Sequence, residues 1–274
     1  MWLSPPPFLY APTPFVLAAS AAAAVVVAFL AISEFLGDNL AYSKFSRGGL
    51  GKKPQPISRR LPSRGAMLLI YAPALAAALA SFAVPDAVSG PRECALAAAI
   101  AAHFLKRVLE VAFVHRYSGS MPLPTALLIS SYYLSNAMAM VYVQRLSRGL
   151  PEPRVDLLCP GALAFAVGLA GNFYHHWLLS RLRAGHGAGG GDGGEKAYRI
   201  PTGGMFGLVV CPHYLFEIAV FFGFAMISQT LYALTVALGT AAYLAGRSYT
   251  TRKWYASKFE EFPASIKALV PYVW

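Results

Sequence analysis

An all-α, polytopic membrane protein with about seven transmembrane helices is the fold class this sequence predicts. Three observations carry it. Only 13% of the 274 residues are charged and 57% are hydrophobic, whereas a soluble domain is about 25% charged. The mean hydropathy is positive, at +0.50. Seven segments approach the ~20 apolar residues that a spanning helix needs: 15–36, 65–85, 93–114, 123–144, 157–180, 206–227 and 229–246. There is no glycine period and too much apolar side chain for disorder, so collagen and intrinsic disorder are excluded.

The first segment follows the proline-rich stretch Pro5–Pro14 and could be mistaken for a secretory signal. It has no basic residue before it and carries Glu34 at its far end, so it reads as a first span. Segments two to seven follow at loop lengths that suit an antiparallel bundle. Basic residues set the orientation. Alternate loops hold seventeen Lys and Arg on one side and four on the other. The expected arrangement therefore has the N-terminus outside or lumenal and the C-terminus cytosolic, with the basic loop 37–64 in the cytosol. The same bias accounts for much of the net charge of +11, so no nucleic-acid partner is expected.

Cys94, Cys159 and Cys211 have no metal-ligand spacing and read as small buried hydrophobes. The run Gly185–Gly194 reads as a flexible linker. It lacks the preceding strand that a phosphate-binding loop requires.

Ionisable residues inside spans are costly and usually face a cavity or one another. The third segment carries His103, Lys106, Arg107 and Glu110 on one face, where Glu110 can pair with Lys106 and Arg107. A helix-locking ion pair and a polar active-site wall both fit. The fifth carries Asn172, His176 and Arg183. The sixth opens with Cys211-Pro-His-Tyr-Leu-Phe-Glu217, in which His213 and Glu217 are one turn apart and Pro212 is expected to loosen a turn. Arg247 lies at the cytosolic end of the seventh. Polar faces on four segments predict one pocket open to the cytosol. No metal is expected. Adjacent His175 and His176 diverge by about 100° on a helix, and no carboxylate or thiolate set completes a shell with His213. No serine nucleophile elbow is present.

These runs resemble the steroid 5α-reductase family. The resemblance covers roughly residues 160–274: Gly171-Asn172, Leu182-Arg183, Tyr198-Arg-Ile-Pro201, Cys211-Pro-His-Tyr214 with Glu217, Arg247, Trp254-Tyr255, Lys258-Phe259-Glu-Glu-Phe-Pro263 and Lys267-Ala-Leu-Val-Pro271. In the N-terminal half, His103-Phe-Leu-Lys-Arg107, Glu110, Phe113-Val-His-Arg116 and Met121-Pro-Leu123 look more like the trans-2-enoyl-CoA reductase branch.

The resemblance implies seven helices in the endoplasmic reticulum membrane, NADPH as cofactor, and reduction of a carbon–carbon double bond conjugated to a carbonyl. It implies an N-terminal region, 1–122, and a C-terminal reductase region, 123–274, in one bundle. By this likeness Asn172, Arg183, Tyr198, His213, Glu217, Arg247, Tyr255 and Arg107 would line the nucleotide. Tyr214, Tyr71, Glu110 and Lys106 would serve catalysis. The chain departs from the steroid enzymes where they hold the substrate ketone: Tyr71 stands for a glutamate and Phe104 for a tyrosine. His176 replaces an aspartate and Thr251 a histidine. The expected substrate is a lipid, a 3-oxo-Δ4 steroid. The alternatives are a trans-2-enoyl-CoA, a polyprenol, or no catalysis at all in a transporter or scaffold.

Overall fold

The structure is a computed structural model that describes residues 6–40, 42, 45, 59–184 and 199–274, with only the backbone of 183 and 184. Among the described residues seven α-helices follow in order: α1 (Pro14–Phe35), α2 (Ser63–Ala80), α3 (Pro91–Leu109), α4 (Leu123–Arg145), α5 (Leu158–Ala184), α6 (Pro212–Ser228) and α7 (Leu231–Lys258). Each falls on one of the seven apolar segments. Three of them, α1, α2 and α4, are long and apolar enough to cross a membrane; α6 is apolar but has 17 residues. The polar residues inside α3, α5 and α7 are what set those three helices apart from the plainly apolar ones.

Helix ends follow local chemistry. Thr13 caps α1 by accepting from the Val16 N–H at 3.3 Å. The side chain of Glu93 accepts from the Ser89 N–H at 2.8 Å ahead of α3. The sixth helix starts six residues later than the apolar run does. Pro212 sits in its first turn, where a missing N–H costs nothing, so it begins the helix instead of loosening it. Residues 204–207 form a separate 3₁₀ turn. The seventh helix runs twelve residues past the predicted 246, because nothing from Arg247 to Lys258 breaks it.

The connections sort into two ends. Two short strands, β1 (Arg60–Pro62) and β2 (Ser120–Pro122), pair antiparallel and tie the α1–α2 loop to the α3–α4 loop. A bridge between Val209 and Lys267 ties the α5–α6 loop to the segment after α7. At the opposite end, Gln229 accepts from Arg92 at 2.8 Å and donates to the carbonyls of Phe8 and Val155 at 2.7 and 2.8 Å. Arg92 also pairs with Asp156 at 2.7 Å. Tyr10 donates to Glu152 at 2.6 Å, and burial pushes its phenol up to about 12. Loops after odd helices meet one another, and loops after even helices meet one another, as successive antiparallel helices require.

Helix packing is close where glycine permits it. A β-carbon on Gly168 of α5 would lie 2.7 Å from the Val220 nitrogen of α6, and one on Gly223 of α6 would lie 2.7 Å from Phe165 of α5. Small residues bring helix backbones together in just this way in membranes. The outer faces are apolar: Val25 is 70% exposed and Phe29 69% on α1, and Leu163 67% on α5. Cys211 is buried, but Cys94 and Cys159 are exposed. The expectation of three buried thiols is corrected for these two, which lie on outward helix faces where a small apolar group suits an apolar surround.

Candidate active site

The third helix places three charges in one group. At its end the coil widens into a π turn, Glu110–Val114, a feature found often at functional sites. Glu110 is 1% exposed. One of its oxygens accepts from Lys106 Nζ at 3.0 Å and the other from Arg107 at 3.0 Å. His176 Nδ1 of α5 lies 3.1 Å from the first oxygen. Glu217 of α6 acts electrostatically on both cations. Two cations and two carboxylates therefore balance, which makes this burial tolerable.

Besides α3, the group spans α2, α5 and α6. Arg107 donates to the hydroxyl of Tyr71 on α2 and its guanidinium lies 4.6 Å from the Tyr71 ring centre. Arginine has no acceptor, so the Tyr71 oxygen accepts and keeps its own proton available. Tyr71 itself is held beside Pro73. That proline has no N–H for the Leu69 carbonyl, and Ser130 of α4 donates to it instead at 2.7 Å. Lys106 donates to the Asn172 side-chain oxygen, and the Asn172 amide donates to the His213 carbonyl at 2.8 Å. The Glu217 oxygen nearer His103 is 3.5 Å from its Nε2. The other Glu217 oxygen and Arg107 Nε are buried with no hydrogen-bond partner among the described residues.

A second polar group lies on α1 and α7. Arg247 and Glu34 are each 1% exposed and 2.8 Å apart. Arg247 also donates to the carbonyls of Leu40 and Tyr42 at 3.2 and 3.1 Å and lies over the rings of Tyr42 and Phe45. The hydroxyls of Tyr42 and Tyr243 are 3.1 Å apart. Tyr214 packs its ring on His213, at 4.3 Å between centres, and is in electrostatic reach of Tyr42, Arg247 and Glu34. Tyr255 is buried and stacks between Phe259 and Phe262.

Among the described residues the polar side chains fall into two buried groups, which meet where Tyr214 packs on His213. Tyr71, Lys106, Arg107, Glu110, Asn172, His213 and Glu217 come together in the first. Tyr214 and Arg247 belong with the second, and Tyr255 stands apart in an aromatic stack. Arg183 lies in the last turn of α5, its side chain not described. Tyr198 and the glycine-rich run 185–194 lie outside the described residues.

Sequence reasoning missed Glu34, Tyr42, Tyr243, His115 and Tyr133. Glu34 had a signal, a lone carboxylate closing an apolar run. His115 lies within the quoted run Phe113-Val-His-Arg116, while the tyrosines had no signal. His175 is taken up structurally, between the Gly171 carbonyl at 2.7 Å and the Met205 N–H at 3.1 Å. His103 approaches Glu217, and the nitrogens of His115 and His176 lie with a Glu110 oxygen within 4.8 Å of one another. Lys106 and Arg107 already occupy Glu110, and their charge opposes a divalent cation there.

Beside the first group is an apolar cavity between α3, α4 and α6. Ile100, Phe104, Ala137, Met140, Phe221 and Phe224 line it, with Tyr133 and Asn136. A buried, charge-balanced group thus lies next to an apolar cavity, in helices with apolar outer faces.

Residues 120–274, more than half the chain, match the family described as 3-oxo-5-alpha-steroid 4-dehydrogenase; the chain belongs to this family of oxidoreductases acting on CH–CH groups. It is 27% identical to 3-oxo-5-alpha-steroid 4-dehydrogenase 2 of Macaca fascicularis, over 92% of this chain and 95% of that one. It is 29% identical to 3-oxo-5-alpha-steroid 4-dehydrogenase 1 of the same species, over 86% and 85%. Steroid 5-alpha-reductase DET2 of Gossypium hirsutum is 37% identical over 42% of each chain.

Proposed function

We propose that this protein spans the endoplasmic reticulum membrane seven times and uses NADPH to reduce the double bond of a 3-oxo-Δ4 steroid. The observation that carries the site assignment is the Arg107–Tyr71 contact, which leaves the phenol its proton beside an apolar cavity. Bound NADPH would supply a hydride to the β-carbon of the enone. As that C–H bond forms, the π electrons move towards the carbonyl oxygen. Tyr71 donates a hydrogen bond to this oxygen, and Arg107 stabilises the negative charge that builds up there. The α-carbon then takes a proton that comes from the aqueous phase, so that hydride and proton together saturate the double bond. Glu110 and Lys106 position Arg107. Tyr214, in the first turn of α6, is the second available phenol.

The residues present fit the cofactor at its nicotinamide end. The orphaned Glu217 oxygen suits an amide N–H, and the orphaned Arg107 Nε suits an amide oxygen. Asn172 and His213 frame the same place. Arg183 and Tyr198 would hold the phosphates. Arg247, enclosed by Glu34, Leu40, Tyr42 and Phe45, and Tyr255 would shape the adenosine end.

The enoyl-CoA and polyprenol alternatives gain nothing from the comparisons, which name steroid enzymes. Family membership replaces the transporter or scaffold alternative.

The decisive experiment is NADPH consumption by purified protein with enone steroids, trans-2-enoyl-CoAs and polyprenols in parallel. Turnover with 3-oxo-Δ4 steroids is expected; activity confined to either other class would overturn the substrate assignment. The proposed orientation has its own check. A tag placed after Trp274 should be cut by protease in intact microsomes, and a protected tag would reverse the topology.

A further inference from the structure

Of the two polar residues that line the apolar cavity, one is already committed. Asn136 donates to the Tyr132 carbonyl at 2.7 Å and accepts from the Tyr232 hydroxyl at 3.0 Å. Tyr133 is different. Its ring is fixed edge-on to Phe104, with centres 5.5 Å apart, and tilted against Tyr71 at 5.7 Å. Its hydroxyl makes no hydrogen bond with any described residue, yet the residue is in electrostatic reach of Tyr71, Arg107 and Glu217. Tyr133 therefore joins the wall of the apolar cavity to the charged group above it.

We infer that Tyr133 is a substrate-binding residue. With Tyr71 it forms a pair of phenols on one carbonyl oxygen, while the apolar cavity takes the carbon skeleton attached to that carbonyl. This rests on the reductase reading above and deepens it. A carbonyl oxygen has two lone pairs and accepts two donors. Tyr71 supplies one, backed by Arg107. A neighbouring phenol with a free proton, one ring away, supplies the other. Phe104 cannot, since it is the ring that faces Tyr133 without a hydroxyl. The cavity volume of about 10 Å³ is far below the ~300–1,000 Å³ of most small-molecule sites, so a flat polycyclic ketone enters only when the aromatic walls move apart to make room for it. The Tyr133 hydroxyl then gives its orientation.

The test relocates the hydroxyl. Tyr133→Phe removes one oxygen and almost no volume. It should lower kcat/KM for a 3-oxo-Δ4 steroid by about 10²-fold, the usual cost of one oxyanion donor, with NADPH affinity and melting temperature unchanged. Adding Phe104→Tyr to Tyr133→Phe places a phenol on the facing ring and should recover at least ~10-fold of the loss. Phe104→Tyr alone is the control: an equal gain in the wild-type background would be addition of a donor and count against the inference, whereas a gain confined to the Tyr133→Phe background is rescue. If Tyr133→Phe keeps wild-type kcat/KM while the wild type reduces the steroid, this inference is overturned and the reductase reading stands. A wild type that reduces no conjugated ketone overturns both.

Discussion

Glu34→Gln should sharply destabilise the protein, by about 3–5 kcal/mol, which is the cost of breaking a buried ion pair from one side. Glu34 and Arg247 are both 1% exposed and 2.8 Å apart. Removing the carboxylate charge leaves a guanidinium with two backbone carbonyls and two aromatic rings, which soften its charge without cancelling it. Total stabilities are of the order of 5–15 kcal/mol, so the loss is a large share of the whole. Melting in detergent should fall by roughly 10 °C, and monodisperse yield should fall with it. Replacing both partners with apolar residues, Glu34→Leu with Arg247→Met, should recover much of the loss, since no charge is then stranded. Wild-type melting of Glu34→Gln would mean that the pair is not buried in the folded protein.

This pair also marks the limit of what the chain discloses. The seven helices are legible because each is a long apolar run, and that property is local. Their ends are less so: Pro212 and the glycine pair Gly203-Gly204 decide where α6 begins, inside a stretch that hydropathy alone reads as continuous. The Lys106, Arg107 and Glu110 grouping is legible for the same local reason, since one helical turn brings them together. Glu34 and Arg247 are 213 residues apart, and only the packing of α1 on α7 makes them partners. Tyr133 is one of two adjacent tyrosines in an apolar helix. Nothing local separates it from Tyr132; the cavity does. The division of the polar residues into two groups was hidden likewise, because helical spacing says which residues share a face and not which helix that face meets.

Tyr71→Phe should lower turnover of a conjugated ketone about 10²- to 10³-fold, as the loss of one oxyanion donor does elsewhere. The argument begins with the direction of one hydrogen bond. Arg107 can only donate, so the Tyr71 oxygen receives that bond and its proton points away from the guanidinium. A cation donating to a phenol oxygen makes the phenol a stronger donor. In a water-poor site that donor needs little reorganisation as charge grows on the substrate oxygen. Phenylalanine keeps the ring, and with it the contacts to Tyr133 and the face presented to Arg107. It removes only the hydroxyl. Arg107 then loses one partner but retains Glu110, so stability should drop by only ~1–3 kcal/mol, and melting separates this from the catalytic effect. NADPH affinity should hold, since Tyr71 lies outside the residues assigned to the nucleotide. The comparison that decides the donor is Tyr214→Phe, because Tyr214 sits with the Arg247 group. A loss in Tyr71→Phe with Tyr214→Phe near wild type places the donor on α2. The reverse pattern moves it to the first turn of α6 and leaves Tyr71 as a packing partner of Arg107.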